Sequence, residues 1–98
     1  MSTLTGAQVR HLKGLAQRLE PVLHIGKAGL SAEFLASAEA ALNQHELVKI
    51  KFAQHKEEKK TLAPELAEKT GSQLIQRVGN VAVIFRQNAD PARRRIVF

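Results

Sequence analysis

The stretch from Pro21 to Glu33, PVLHIGKAGLSAE, constrains the fold more than any other part of the chain. Val22 to Ile25 is a short apolar run, and from Ser31 onward the apolar residues recur with helical spacing. Strand, glycine loop and helix therefore follow one another directly. Gly26 and Gly29 let the backbone turn tightly and keep a Cβ out of the way of a ligand. Ser31 is placed as the helix N-cap, with Leu30 and Leu35 at the spacing of a hydrophobic staple. The free amides of the first turn, the positive end of the helix dipole and the Lys27 ammonium then face one small volume. Such a volume suits an anion, most naturally a phosphate. A Gly-x-x-Gly in this position is about as often only a tight connection. The spacing excludes a Walker A loop, since no Gly-Lys-Ser/Thr follows. It also excludes the dinucleotide fingerprint: a third glycine is missing, and about 20 positions on stands the apolar run Leu47 to Phe52 rather than an acidic residue.

Charge weighs on that choice. The 98 residues carry 15 Lys+Arg against 9 Asp+Glu, a formal net charge of +6. The excess sits at the two ends: residues 1–30 hold four basic residues against one acidic, and residues 72–98 hold five against Asp90 alone. Neutral middle segments between basic ends point to a polyanion met by one surface, although many small basic proteins have no such partner. With no cysteine there is neither a disulfide framework nor a thiolate metal site, which fits a reducing, cytoplasmic setting. No apolar run is long enough to cross a membrane, and the first residues do not have the basic-then-apolar form of a secretory leader.

In chain order, Thr5 to Gln8 fits a capping box with Leu4 and Val9 as its staple. Val9, Leu12, Leu15, Ala16 and Leu19 then form the buried stripe of a first helix. Arg10, Lys13, Gly14 and Gln17 fall on another face, and close packing is the expected reason for the glycine. After Pro21 come the strand Val22 to Ile25, the loop, and a second helix from Ser31 to about Gln44-His45. Leu47 to Phe52 alternates as a half-buried strand, with Lys49 and Lys51 on its open face. A third helix is expected from an N-cap at Thr61, which puts Pro64 in the first turn, to a glycine C-cap at Gly71. Gln73 to Val78 and Val81 to Arg86 flank the turn Gly79-Asn80 as a hairpin. Residues 87–98 read as a flexible basic tail with Arg93, Arg94 and Arg95, whose end, Ile96 to Phe98, can dock on a sheet edge. The expectation is one domain over residues 1–98. It is a two-layer α+β fold of order α-β-α-β-α-β-β, with a four-stranded mixed sheet packed with three helices.

Several segments in this order resemble the signature of the CRM domain, the chloroplast RNA splicing and ribosome maturation domain. They are Leu12-Lys13-Gly14-Leu15-Ala16, Leu19 to Val22, Ile25 to Ser31, His45 to Lys51, Thr70-Gly71, Gln76, Val78-Gly79 and Phe85-Arg86. Phe85 stands where many members have tyrosine. The similarity runs along essentially the whole chain, at the length of the YhbY-type bacterial members. It implies a fold similar to the C-terminal domain of a bacterial translation initiation factor and a loop like that of KH domains. It also implies binding of structured ribosomal RNA during maturation of the large (50S) subunit; a monomer is expected. Carried onto this chain, the resemblance makes Gly26, Lys27, Ala28 and Gly29 the grip, beside a basic surface of Arg10, Lys13 and Lys49 or Lys51.

Base stacking is a poor option, because the chain has no Trp or Tyr and its four Phe fall at core positions or at the end; contacts to phosphate, 2′-hydroxyl and RNA shape are expected instead. His11, His24, His45 and His55 lack a metal-ligand spacing, so no metal or cofactor is expected. Glu33, Glu39 and Glu46 form no evident acid and base pair, and Ser31 has no adjacent base. An enzyme is not expected. Two other readings stay open at this stage: a ribosome-associated protein-interaction module, and a small enzyme acting on phosphate compounds through the same loop.

Overall fold

The computed structural model describes residues 4–98. Helix α1 spans Gly6–Ala16, strand β1 Leu23–Ile25, helix α2 Ala32–His45 and strand β2 Leu47–Phe52. After a 3-10 turn at Lys56–Glu58 come helix α3, Lys59–Thr70, and strands β3, Gln73–Val78, and β4, Val81–Phe85. The strands lie in the order β1-β2-β4-β3, with β1 parallel to β2 and the other neighbours antiparallel. The mixed four-stranded sheet with three helices is the architecture expected from the sequence.

Local chemistry sets the boundaries. The Thr5 hydroxyl accepts from the Gln8 amide at 3.1 Å while the Gln8 side chain accepts from the Thr5 amide at 2.9 Å, so the capping box starts α1. Ser31 caps α2, accepting from the Phe34 amide at 3.1 Å. Gly71, at φ +62°, closes α3 in the left-handed conformation.

The period of two in β2 divides the core. Val48, Ile50 and Phe52 meet Leu42 of α2 and Leu66 of α3 on one face of the sheet. Leu47 points to the other face, where it joins Val83, Phe85, Ile75 and the α1 residues Leu12 and Ala16. A bulge at Ile75 lets that side chain reach the second cluster while Leu74 pairs with Ile84 and Gln76 with Val83. Each fully buried Leu, Ile or Phe contributes about 2 kcal/mol. Helices thus cover both faces, with α1 adding a third layer to the two expected. Its cover is incomplete: towards the β1–β2 C-terminal end, His24, Lys51 and Val78 stay exposed.

Three details differ from the sequence reading. First, α3 begins at Lys59, not after Thr61, and Pro64 lies inside it. Pro64 denies a hydrogen bond only to the Lys60 carbonyl, and both residues are on the exposed side, while Ala63, Leu66 and Ala67 hold the buried side. Lys59 Nζ also donates to Asn80 Oδ1 at 3.1 Å, tying the first turn to the hairpin. Second, Gly14 is not a close-packing site, because a Cβ there would meet nothing within 4 Å.

Third, residues 87–98 are not a free tail. Glu46, 1% exposed and at φ +63°, ends α2. Its carboxylate accepts from the amides of Asn88 at 2.6 Å, Arg95 at 2.6 Å and Ile96 at 3.0 Å. A buried carboxylate is costly unless its oxygens are hydrogen-bonded, and the returning segment supplies the donors. Ile96 then packs against the α1 cluster, and Phe98 stands edge-on to Phe85, with ring centroids 5.9 Å apart. Nearby, Arg86 donates to Glu39 at 2.8 Å, the Thr70 carbonyl at 2.7 Å and Asn43 at 3.0 Å, joining the ends of β4, α2 and α3.

Candidate nucleic-acid interface

The loop Gly26 to Gly29 sits where β1 ends and α2 begins. The Gly29 amide donates to the Gly26 carbonyl at 3.0 Å, so the four residues form a turn, and Gly29 takes φ +62°. Side chains other than glycine, Asn and Asp rarely adopt that conformation, which explains the second glycine. Gly26 has a different reason for being small: nothing lies within 4 Å of a Cβ built on it, so it leaves open surface. Gly26, Lys27 and Ala28 are exposed, and among the described residues no hydrogen bond occupies the Lys27 or Ala28 amide.

A buttress holds the loop from below. His55, itself left-handed at φ +55°, places Nε2 2.8 Å from the Lys27 carbonyl. A carbonyl only accepts, so Nε2 must carry the proton. The same imidazole is 3.7 Å from where a Gly29 Cβ would be, an ordinary contact distance. Below it, the Ile25 carbonyl accepts from Ala53 at 3.1 Å and Gln54 at 3.0 Å. The carbonyl side of the loop is thereby turned inward and used, while the amide side faces outward with Lys27 beside it. The hydroxyl of Ser31 is spent on its cap, so this residue shapes the site through its backbone rather than its side chain.

The other expected contacts divide into three groups. Lys51 is exposed and stands opposite His24 of β1, two residues before the start of the loop. Arg10 and Lys13 are exposed on α1, and Gln17, one turn further, lines a shallow depression with Gln76, Val78 and Val81 on the uncovered part of the sheet. Lys51 borders the loop, whereas the Arg10 guanidinium turns back to Gly6 at the start of α1, the end of that helix away from Gln17.

Lys49 does not join them. Its ammonium donates to the carbonyls of Ala16 and Leu19, both at 3.2 Å, and so closes the C-terminal end of α1. Arg93, Arg94 and Arg95 lie at the other end of α2, around Asn43 and Gln44. With 14 residues, α2 puts about 20 Å between them and the loop. Sequence reasoning missed His55, because a lone histidine in a polar run carries no local signal, and it missed the free position of His24 beside Lys51.

Among the described residues there is no group of three His, Cys, Asp or Glu side chains placed to hold a metal, and no helix is long and apolar enough to cross a membrane.

The chain is 37% identical to a protein of Pseudomonas aeruginosa named a probable RNA-binding protein, over 90% of this chain and 86% of that one. It is also 37% identical to a Haemophilus influenzae RNA-binding protein, over 92% of each. A probable RNA-binding protein of Bacillus subtilis is 33% identical over 89% of this chain and 92% of its own. Among solved structures, a hypothetical protein from Staphylococcus aureus proposed to bind RNA superposes with a TM-score of 0.77 at 36% identity, over 91% of this chain and 94% of that one. The model of the CRS1/YhbY (CRM) domain matches residues 4–86, which include the glycine loop and all three helices, and the chain belongs to that family.

Proposed function

We propose that this chain is an RNA-binding protein that grips the sugar-phosphate backbone of a folded RNA at Gly26 to Gly29. The observation that carries the reading is the loop's polarity: its Lys27 carbonyl is held inward by His55, and its outward amides stand beside the Lys27 ammonium and the start of α2. Such a corner favours a phosphate through directed N–H groups, the helix dipole and one point charge together. Lys51 supplies a further cation beside the loop, Lys13 and Arg10 are exposed on α1, and the relatives named as RNA-binding proteins support the choice of polyanion.

The target we propose is structured ribosomal RNA during maturation of the large subunit, met by a cytoplasmic monomer. Recognition by shape and backbone suits a surface whose phenylalanines are buried or half-buried, except Phe98 at the far end. The reading gives the loop a binding role rather than an enzymatic one, in keeping with a Ser31 hydroxyl that is committed to its cap.

The test is the affinity for a ribosomal RNA hairpin of the protein and of the pair Lys27→Glu, Ala28→Asp. Both positions are exposed, so circular dichroism is expected to stay unchanged while affinity drops about thirtyfold. If about four phosphates are neutralised, the log-log salt slope of the unmodified protein is about −3. An unaltered affinity in the pair, with the fold intact, removes the loop from the mechanism.

A further inference from the structure

Strand β1 is half as long as β2 and pairs only with Ile50 to Phe52, so the first half of β2, paired with β4 on one edge, has no strand on its β1 edge. One hydrogen bond, from the Val22 amide to the Lys49 carbonyl at 3.0 Å, is all that the connection before β1 adds there. The gap opens into a groove of about 550 Å³ between the α1–β1 connection and the end of the chain. Its floor is aliphatic: Leu15, Leu19, Val22, Leu47 and Val97 line it. The fold leaves five large apolar side chains exposed among the described residues. Leu19 at 38%, Val22 at 52% and Val97 at 80% are in this groove, and Phe98 lies beside it, edge-on to His11. The charged side chains of the rim are Arg18 and Arg95, both exposed, against Glu20, and His11 and His45 stand beside them. Lys49 also lines the groove, but its ammonium is turned to the α1 carbonyls.

We infer that this groove is a docking site for a protein segment that is extended, acidic and apolar, placing aliphatic side chains on the floor and carboxylates against Arg18 and Arg95. RNA fits the rim, where Arg18, Arg95 and the rings of His11 and His45 stand, but not the floor, since phosphates and ribose gain nothing from five aliphatic side chains. An extended peptide fits both, and the unpaired edge of β2 matches the backbone of an added chain. Clusters of apolar area rimmed by charge of one sign are what protein partners of the opposite sign select. The site is separate from the glycine loop, so it can be filled while RNA is held.

The experiment pans a phage-displayed library of random dodecapeptides on the whole protein and measures the enriched peptide, made synthetically, against variants. The expected consensus alternates Asp or Glu with Leu, Ile, Val or Phe. Arg18→Glu, and separately the neutral pair Leu19→Ser, Val22→Ser, are each expected to weaken that peptide about tenfold. Val78→Ser, an exposed apolar residue on the other end of the sheet, is expected to leave it unchanged. Failure to enrich any consensus, or a consensus without acidic residues, overturns the proposal. So does a peptide indifferent to both groove variants while circular dichroism shows them folded. Two further results overturn it by naming another occupant. One is loss of affinity for a ribosomal RNA hairpin in the neutral pair, which makes the groove an RNA surface. The other is a dimer in sedimentation that the same pair dissolves, which makes it a contact between copies.

Discussion

At the N-terminal end of α2 the chain offers unused backbone amides with one lysine beside them; at the C-terminal end it offers three arginines whose backbone is already bound. The loop end carries few charges, Lys27 with Lys51 beside β1 and Glu33 in the first turn of α2, and its polarity comes from which way the peptide groups face once His55 holds the Lys27 carbonyl. The tail end has the higher charge, yet the Arg95 amide is bound to Glu46, and the Arg94 side chain donates to the Asn88 carbonyl at 2.9 Å. Charge alone attracts any polyanion, whereas aligned amides hold one phosphate in one place. The comparison teaches that the less charged end is the better candidate for a specific grip, and the more charged end for electrostatic attraction.

The sharpest way to break the contrast is to free the tail. Glu46→Ala removes the acceptor of three amides, and we expect a loss of about 3 kcal/mol in urea unfolding, with fast hydrogen exchange at Asn88, Arg95 and Ile96. A change below about 0.5 kcal/mol would mean that the tail is not held by this carboxylate.

Next in size is the difference between the ends in RNA affinity. On a short hairpin that cannot cover the about 20 Å length of α2, the pair Lys27→Glu, Ala28→Asp is expected to cost about thirtyfold. Changing Arg93, Arg94 and Arg95 together to Gln is expected to cost less than about threefold on that RNA and more on one long enough to reach both ends. Equal losses on the short hairpin would erase the distinction.

A smaller effect tests the buttress. His55→Ala is expected to cost about 1 kcal/mol of stability and to lower RNA affinity severalfold, because the loop loses the side chain that holds its Lys27 carbonyl. His55→Gln, whose amide can still donate to the Lys27 carbonyl, should recover most of both.

The smallest contrast lies within one strand. Lys49→Met is expected to destabilise by about 1 kcal/mol through the Ala16 and Leu19 carbonyls and to leave the salt slope of binding alone. Lys51→Met, two residues along on the same face, should stay within about 0.5 kcal/mol in stability and reduce the salt slope by about 1. Anisotropy titrations at several salt concentrations, beside unfolding curves, read both.

Much of the fold was legible because its signals are local. The capping box at Thr5, the cap at Ser31, the left-handed Gly71 and the alternation from Leu47 to Phe52 each depend on residues a few positions apart. The start of α3 was misread where a local rule, proline in the first turn, lost to the packing of Ala63, Leu66 and Ala67. The site was legible in part. The loop announces itself through its two glycines, but its buttress comes from a histidine 28 residues from Lys27.

From the amino-acid sequence alone came the order of elements, the position of the glycine turn at the mouth of α2 and the excess of positive charge at the two ends. These follow from periodicity, caps and composition, which act along the chain. The tertiary structure alone decided which charges remain available: Lys49 is consumed and Lys51 is not, Glu46 is buried under a segment that returns to it, and the arginines stand an α2 length from the loop. The reason is that a side chain's freedom depends on partners some 30 to 50 residues away, and only packing brings those partners within hydrogen-bonding distance.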